Sequence, residues 1–251
     1  KLTKPILRID ESVNHRVGVL LIHGYIANAF SMHQLIKGLE GTAYQISVPV
    51  LPGHDGGSEK MAGITAEQWI ACVNDAYEKL RESCESVIVV GQSLGGVLST
   101  LVEYRFRSVD QLILLAPAFY PPWLLAYSPV IVPFCKFFGI RYFPNIAGDL
   151  KREDAYDVSF RRIHLDSYLQ LKKACELGRD AIKTVTCPVT MFCADKDHTI
   201  HKKGVKRAYD SCPSTEKQWV MLNDSYHLIS LDNQFPVVID AIKSAIDRLS
   251  S

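Results

Sequence analysis

The sequence has no excess of charge of either sign. Lys plus Arg number 28 against 27 Asp plus Glu, a formal net charge of +1. Such a balance gives no field to gather nucleic acid or to steer a strongly charged substrate, so no nucleic-acid partner is expected. The sequence also lacks Cys-x-x-Cys spacing. Cys72, Cys84, Cys135, Cys175, Cys187, Cys193 and Cys212 are scattered through apolar stretches. Zinc and thioredoxin-like sites therefore have no support, and no metal is expected. An odd set of scattered thiols reads as reduced and buried, which points to a reducing compartment and a cytoplasmic location.

No apolar h-region follows Lys1-Leu2-Thr3-Lys4-Pro5, so no signal peptide is expected, although a chain that starts without Met leaves a removed leader open. An uninterrupted membrane span is missing too. Gln111 to Cys135 carries no charge, but Pro117, Pro121, Pro122, Pro129 and Pro133 break it. A lipid-exposed helix could not leave so many backbone groups unpaired, so the stretch reads as a strand end followed by an irregular, greasy segment. No internal repeat or low-complexity segment is visible.

What remains is an ordinary globular composition, 47% hydrophobic, with a regular alternation of elements. Val17 to Ile22, Val87 to Val90, Leu112 to Leu115, Val189 to Cys193 and Trp219 to Leu222 are short apolar runs, as buried parallel strands require. Tyr44 to Val48 reads as a further strand. Ser31-Met32-His33-Gln34 fits a capping box for a helix ending near Gly41. Thr65-Ala66-Glu67-Gln68 fits another, opening a helix to about Arg81. Helices are also expected after Leu94 and over Val237 to Leu249. The pattern predicts an α/β fold, a mostly parallel sheet with helices on both faces. Residues 118–180 break the rhythm, with helix-like sequence at Lys151 to Asp157 and Asp166 to Lys173. They read as a cap inserted into a core made of 1–117 and 181–251.

Gly91-Gln92-Ser93-Leu94-Gly95 matches Gly-x-Ser-x-Gly, with a buried strand before it and helical sequence after it. That context is what a nucleophile elbow needs: a sharp turn exposes the serine hydroxyl, and small residues flank it to avoid collisions. A serine hydroxyl needs a base, and the base needs an acid to fix its tautomer. His227 follows the last strand and a short loop, at the sheet edge where open α/β folds bind ligands. Asp195 and Asp197 both follow the preceding strand, and spacing alone does not separate them. Oxyanion donors are expected at the N–H groups of Leu94 and Tyr25; the latter lies in His23-Gly24-Tyr25, directly after the first core strand. His23 itself reads as structural. Ile26, Phe119, Trp123 and Leu124 are candidates for an apolar substrate pocket. Phe134, Phe137 and Phe138 offer at most a weak membrane-surface contact. Lys202-Lys203 and Lys206-Arg207 read as a solvated helix face.

On these residues the chain resembles the α/β-hydrolase superfamily, and within it the small bacterial carboxylesterases and monoacylglycerol lipases. The matching pieces are His23-Gly24-Tyr25, Leu51-Pro52-Gly53-His54, Gly91 to Gly96, Ala194-Asp195-Lys196-Asp197 and Ser225-Tyr226-His227. The resemblance implies no cofactor and a cap over the site. It also implies Asp197 as the acid: family members carry Gly-x-x-Asp after that strand with an apolar residue three positions on, here Ala194, Asp197 and Ile200. The loop Gly53-His54-Asp55-Gly56-Gly57-Ser58 departs from the Gly-His-Gly-x-Ser of monoacylglycerol lipases. The expected activity is hydrolysis of short- to medium-chain carboxylic esters through an acyl-enzyme. Monoacylglycerol lipase, lysophospholipase and thioesterase activities are the alternatives within the class. A catalytically silent binding protein is the alternative outside it.

Overall fold

The computed structural model describes residues 4–14, 16–121, 123–145 and 149–251, and the side chains of Trp123 and Leu124 also lie outside that description. The pocket expectation for those two side chains therefore falls outside the described residues.

The expected strands form as β2 (Val17–Ile22), β3 (Gln45–Val48), β4 (Ser86–Gln92), β5 (Gln111–Leu115), β8 (Val189–Ala194) and β9 (Lys217–Leu222), and a short strand β1 (Ile6–Ile9) that the pattern did not signal joins them. They form one sheet in the order β1-β3-β2-β4-β5-β8-β9. All pairs are parallel except β1 with β3. The central strands β2, β5 and β8 are buried along their whole length, as a parallel sheet covered on both faces demands. Alternate residues feed two cores. Leu20, Val89, Leu114 and Met191 face one, and Leu21, Val90, Ile113 and Phe192 face the other.

Helices α2 (Ala66–Ser83), α3 (Leu94–Phe106) and α6 (Leu165–Ala181) cover the first face; α1 (His33–Gly38) and α8 (Phe235–Leu249) cover the second. Thr65 caps α2 with the expected reciprocal box, Thr65 Oγ1 accepting from Gln68 N–H and Gln68 Oε1 from Thr65 N–H. Such a cap stabilises a helix by about 1 kcal/mol. The first turn before α1 differs from the sequence expectation. Asn28, not Ser31, is its cap, accepting from Phe30 N–H at 3.0 Å, while Ser31 Oγ donates to the Asn28 carbonyl. The side chain nearer the chain entry captures the free donor first.

Between β5 and β8 lie α4 (Trp123–Ala126), α5 (Ser128–Phe137), a separate hairpin of β6 (Tyr142–Pro144) and β7 (Arg162–His164), and α6. Two expectations here are corrected. The proline-broken stretch is helical at α5, because Pro129 occupies its first turn and Pro133 removes only one internal bond. Lys151 to Asp157 is not helical, because the Lys151 and Arg152 N–H groups donate to the Asp232 carboxylate, both at 2.9 Å. Helix α7 (Lys202–Ser211) follows β8. Among the described residues no helix is long and apolar enough to cross a membrane.

Candidate functional site

The site lies at the C-terminal ends of β2, β4, β8 and β9. β4 ends at Gln92 and α3 begins at Leu94, so Ser93 alone makes the turn between them. Its backbone holds φ +56° and ψ −114°, a left-handed strain that costs roughly 1–3 kcal/mol in a non-glycine residue. The crossing has no room to relax. A Cβ at Gly95 would collide with the carbonyl oxygen of Ile22 in β2.

His227 follows β9, and its Nδ1 lies 2.8 Å from Asp197 Oδ2. A carboxylate can only accept, so Nδ1 carries the proton and Nε2 is left free to accept one. Asp197 is buried and saturated: Oδ1 accepts the Thr199 N–H at 2.8 Å and the Ile200 N–H at 2.7 Å. Asp195 is elsewhere, paired with Lys202 Nζ at 2.6 Å on the surface. The geometry thus brings Asp197, and not Asp195, to the histidine.

Ser93 and His227 line one cavity of about 290 Å³ with Gly24, Tyr25 and Ile26. The Leu94 N–H belongs to the first turn of α3, where a helix has no internal acceptor for it. Tyr25 is anchored by its side chain, the hydroxyl meeting Ser167 and the ring lying edge-on to Trp69 at 6.1 Å. Burial pushes the Tyr25 phenol up, so it stays protonated. Ile26 reaches the cavity wall from a positive φ of +56°. Phe119 does not: its side chain is wholly buried in the core, against Gly178 of α6. The pocket expectation for Phe119 is corrected, because its ring packs in the core beside α6 and takes no part in the cavity lining.

His23 has the structural role expected of it. The Leu51 N–H donates to its Nε2 at 3.1 Å, and its Nδ1 donates to the Gly24 carbonyl at 2.9 Å. Burial, with His54 nearby, lowers its pKa to about 3; burial lowers that of His54 to about 4. Both rings are neutral, and His23 fixes the loop that bears Tyr25.

Sequence reasoning missed three residues. Gln92 Nε2 donates to the His227 carbonyl at 2.8 Å and its Oε1 accepts the Ser230 N–H at 3.3 Å. Asp232 and Asp149 bind main-chain donors around the same loops. Only the position of Gln92, beside the serine, could have signalled it.

A second cavity, about 190 Å³, adjoins the first: Pro121, Tyr168 and Leu171 line both. Its remaining wall is Leu125, Ser128, Ile131, Val132 and Phe143. On its other side the Ser93 cavity meets Asn145, Asp149, Asp157 and Ser159. Asp157 Oδ2 is buried there with no partner among the described residues. The two joined cavities thus offer apolar and polar lining, and one of them is lined by both a serine and a carboxylate-held imidazole, the residue types that acyl transfer uses.

Comparison with known proteins agrees in outline. A profile of the family described as serine aminopeptidase, S33, matches residues 13–234. A thermostable monoacylglycerol lipase from Bacillus sp. (strain H-257) is 28% identical, covering 90% of this chain and 89% of its own. A carboxylesterase from Bacillus subtilis (strain 168) is 25% identical, covering 92% of each. A solved structure reported for the metagenome-derived lipolytic enzymes LipS and LipT has the same fold. Its TM-score is 0.90 at 24% identity, over 98% of both chains.

Proposed function

We propose that this chain, which belongs to the S33 serine aminopeptidase family of α/β hydrolases, hydrolyses carboxylic esters at Ser93. The observation that carries the reading is the buried His227–Asp197 pair, whose histidine lines the same cavity as a serine on a strained elbow. The names of the relatives, a monoacylglycerol lipase and a carboxylesterase, support an ester over an amide.

Ser93 attacks the ester carbonyl as His227 Nε2 takes its proton. Asp197 holds the imidazole in the correct tautomer and stabilises its cation. The N–H groups of Tyr25 and Leu94 receive the oxyanion, each worth about 10²–10³ in kcat. His227 then protonates the leaving alcohol, and a water it activates releases the acid. Residues 118–180 act as a cap over this site. The acyl chain runs into the apolar cavity under α4, α5 and α6. The alcohol faces Asn145 and Asp157. The outer face and C-terminal end of α5 leave Phe134, Phe137 and the following Phe138 exposed, which suits transient contact with a lipid surface holding the ester.

Asp157 favours a second reading. Its Oδ2, which has no hydrogen-bond partner among the described residues, would accept an alcohol hydroxyl, and equally a peptide's free ammonium group. The decisive assay compares p-nitrophenyl esters from acetate to palmitate with aminoacyl p-nitroanilides, in wild type and Ser93→Ala. Ester turnover that vanishes in the variant, with fluorophosphonate labelling of Ser93, is the expected result. Anilide turnover without ester turnover would make it a peptidase.

A further inference from the structure

Asp149, between β6 and β7, touches both loops that carry the proposed acid and base. Its carboxylate accepts three donors from the two residues after Asp197. These are the His198 N–H at 3.0 Å, the His198 ring Nδ1 at 2.7 Å and the Thr199 hydroxyl at 2.8 Å. Its main-chain oxygen accepts the N–H of Leu228, the residue after His227, at 3.2 Å. Two residues on, Lys151 and Arg152 are held by Asp232, which also accepts the N–H of Tyr226, the residue before His227, at 2.7 Å. The short run 149–152 therefore binds directly the chain that follows His227 and the chain that follows Asp197, and it is tied through Asp232 to the residue before His227.

The link to Asp197 is direct. The Thr199 hydroxyl is held by Asp149, and the Thr199 N–H is one of the two donors that orient Asp197 Oδ1. Hydrogen bonds to an ionised carboxylate are short and directional, so three of them on two adjacent residues fix that peptide's orientation. Asp149 is also mostly buried, its side chain 14% exposed, so water competes poorly for these donors.

We infer that Asp149 is a positioning residue for the ester hydrolysis proposed above, on which this reading rests. It acts through Asp197 and His227, fixing the spacing of their loops from the cap side. A run of chain between β5 and β8 thereby completes an acid–base pair whose members lie beyond β8 and β9.

The test is Asp149→Ala, assayed on p-nitrophenyl acetate and by proton NMR of the downfield Nδ1–H signal of the His227–Asp197 bond. A misplacement of about 1 Å costs on the order of a hundred-fold, so kcat should fall between about ten- and a hundred-fold with KM changed less than about two-fold. The downfield signal should broaden or vanish. Asp149→Asn keeps one acceptor oxygen and should recover part of both. A raised KM at unchanged kcat would mean that Asp149, which also lines the cavity, is a substrate contact, and would overturn the inference. Lowered thermal stability with kcat and the proton signal intact would overturn it as well. If Asp149→Ala does not fold, Thr199→Val removes one donor only; a smaller fall in kcat is expected, and no fall counts against the inference. Should wild type cleave no ester, the ester reading fails, while the proton signal still judges Asp149. Its survival in the alanine variant refutes the positioning role, and its loss upholds it.

Discussion

At the end of β8, Asp195 looks to solvent and to Lys202, while Asp197 is enclosed by His227 and two main-chain N–H groups. An exposed pair contributes little, so Asp195→Asn should leave kcat within about two-fold. Asp197→Asn keeps the shape but lets the imidazole take the wrong tautomer, and kcat should fall by about 10⁴. Steady-state rates on one ester measure both, and equal losses would refute the assignment. These two residues also mark how far spacing reaches. It selected the loop after β8 but not the aspartate, and the choice of Asp197 needed the resemblance. Ser93 was legible because its signal is local, a small-residue turn between a strand and a helix. Gln92, Asp149 and Asp232 were not, because their partners, main-chain groups and for Asp149 also two side chains, are brought close only by the folded chain.

Helix α5 turns Ile131 and Val132 to the apolar cavity and Phe134 and Phe137 to solvent, where Phe138 just after it is also exposed. Leu171 of α6 stands where that cavity joins the Ser93 site. Leu171→Trp should close the junction. Activity on long acyl esters should then fall about ten-fold or more, while acetate turnover changes little, since roughly 0.8 kcal/mol of burial is lost per CH₂ excluded. An unchanged chain-length profile would mean that the acyl chain lies elsewhere. Elements with a local start signal were readable, α2 above all, where the Thr65 and Gln68 side chains each accept the other's main-chain N–H. Strand β1 was not, for its four residues are short and mostly exposed. Lys151 to Asp157 misled because a helix-like composition lost its first donors to a buried carboxylate far along the chain.

Over the whole molecule, neutral buried histidines tie stability to pH. His23 and His54 ionise near pH 3 and 4 in the fold against an ordinary 6.5. Between those limits the unfolded chain binds more protons, so stability falls as pH falls, by about 1.4 kcal/mol per pH unit for each ring. Thermal unfolding followed from about pH 7 to about pH 4.5 should show this decline. His54→Phe, among Tyr25, Trp69 and Phe160, should make it shallower. A slope identical to wild type would place the acid sensitivity elsewhere. At this scale the α/β pattern was plain, since buried parallel strands are continuous apolar runs. The path of 118–180 was not, because its elements are organised by contact with the core.

Gln92 hangs the backbone of His227 from the residue next to Ser93. The two sides of the proposed proton transfer are thus referenced to one strand end, like two instruments bolted to a single post. A displacement of the loop after β9 would stretch this bond and load the turn that carries the serine. The bond opposes relative displacement of the two backbones, so the gap between serine and histidine is braced by the strand end itself.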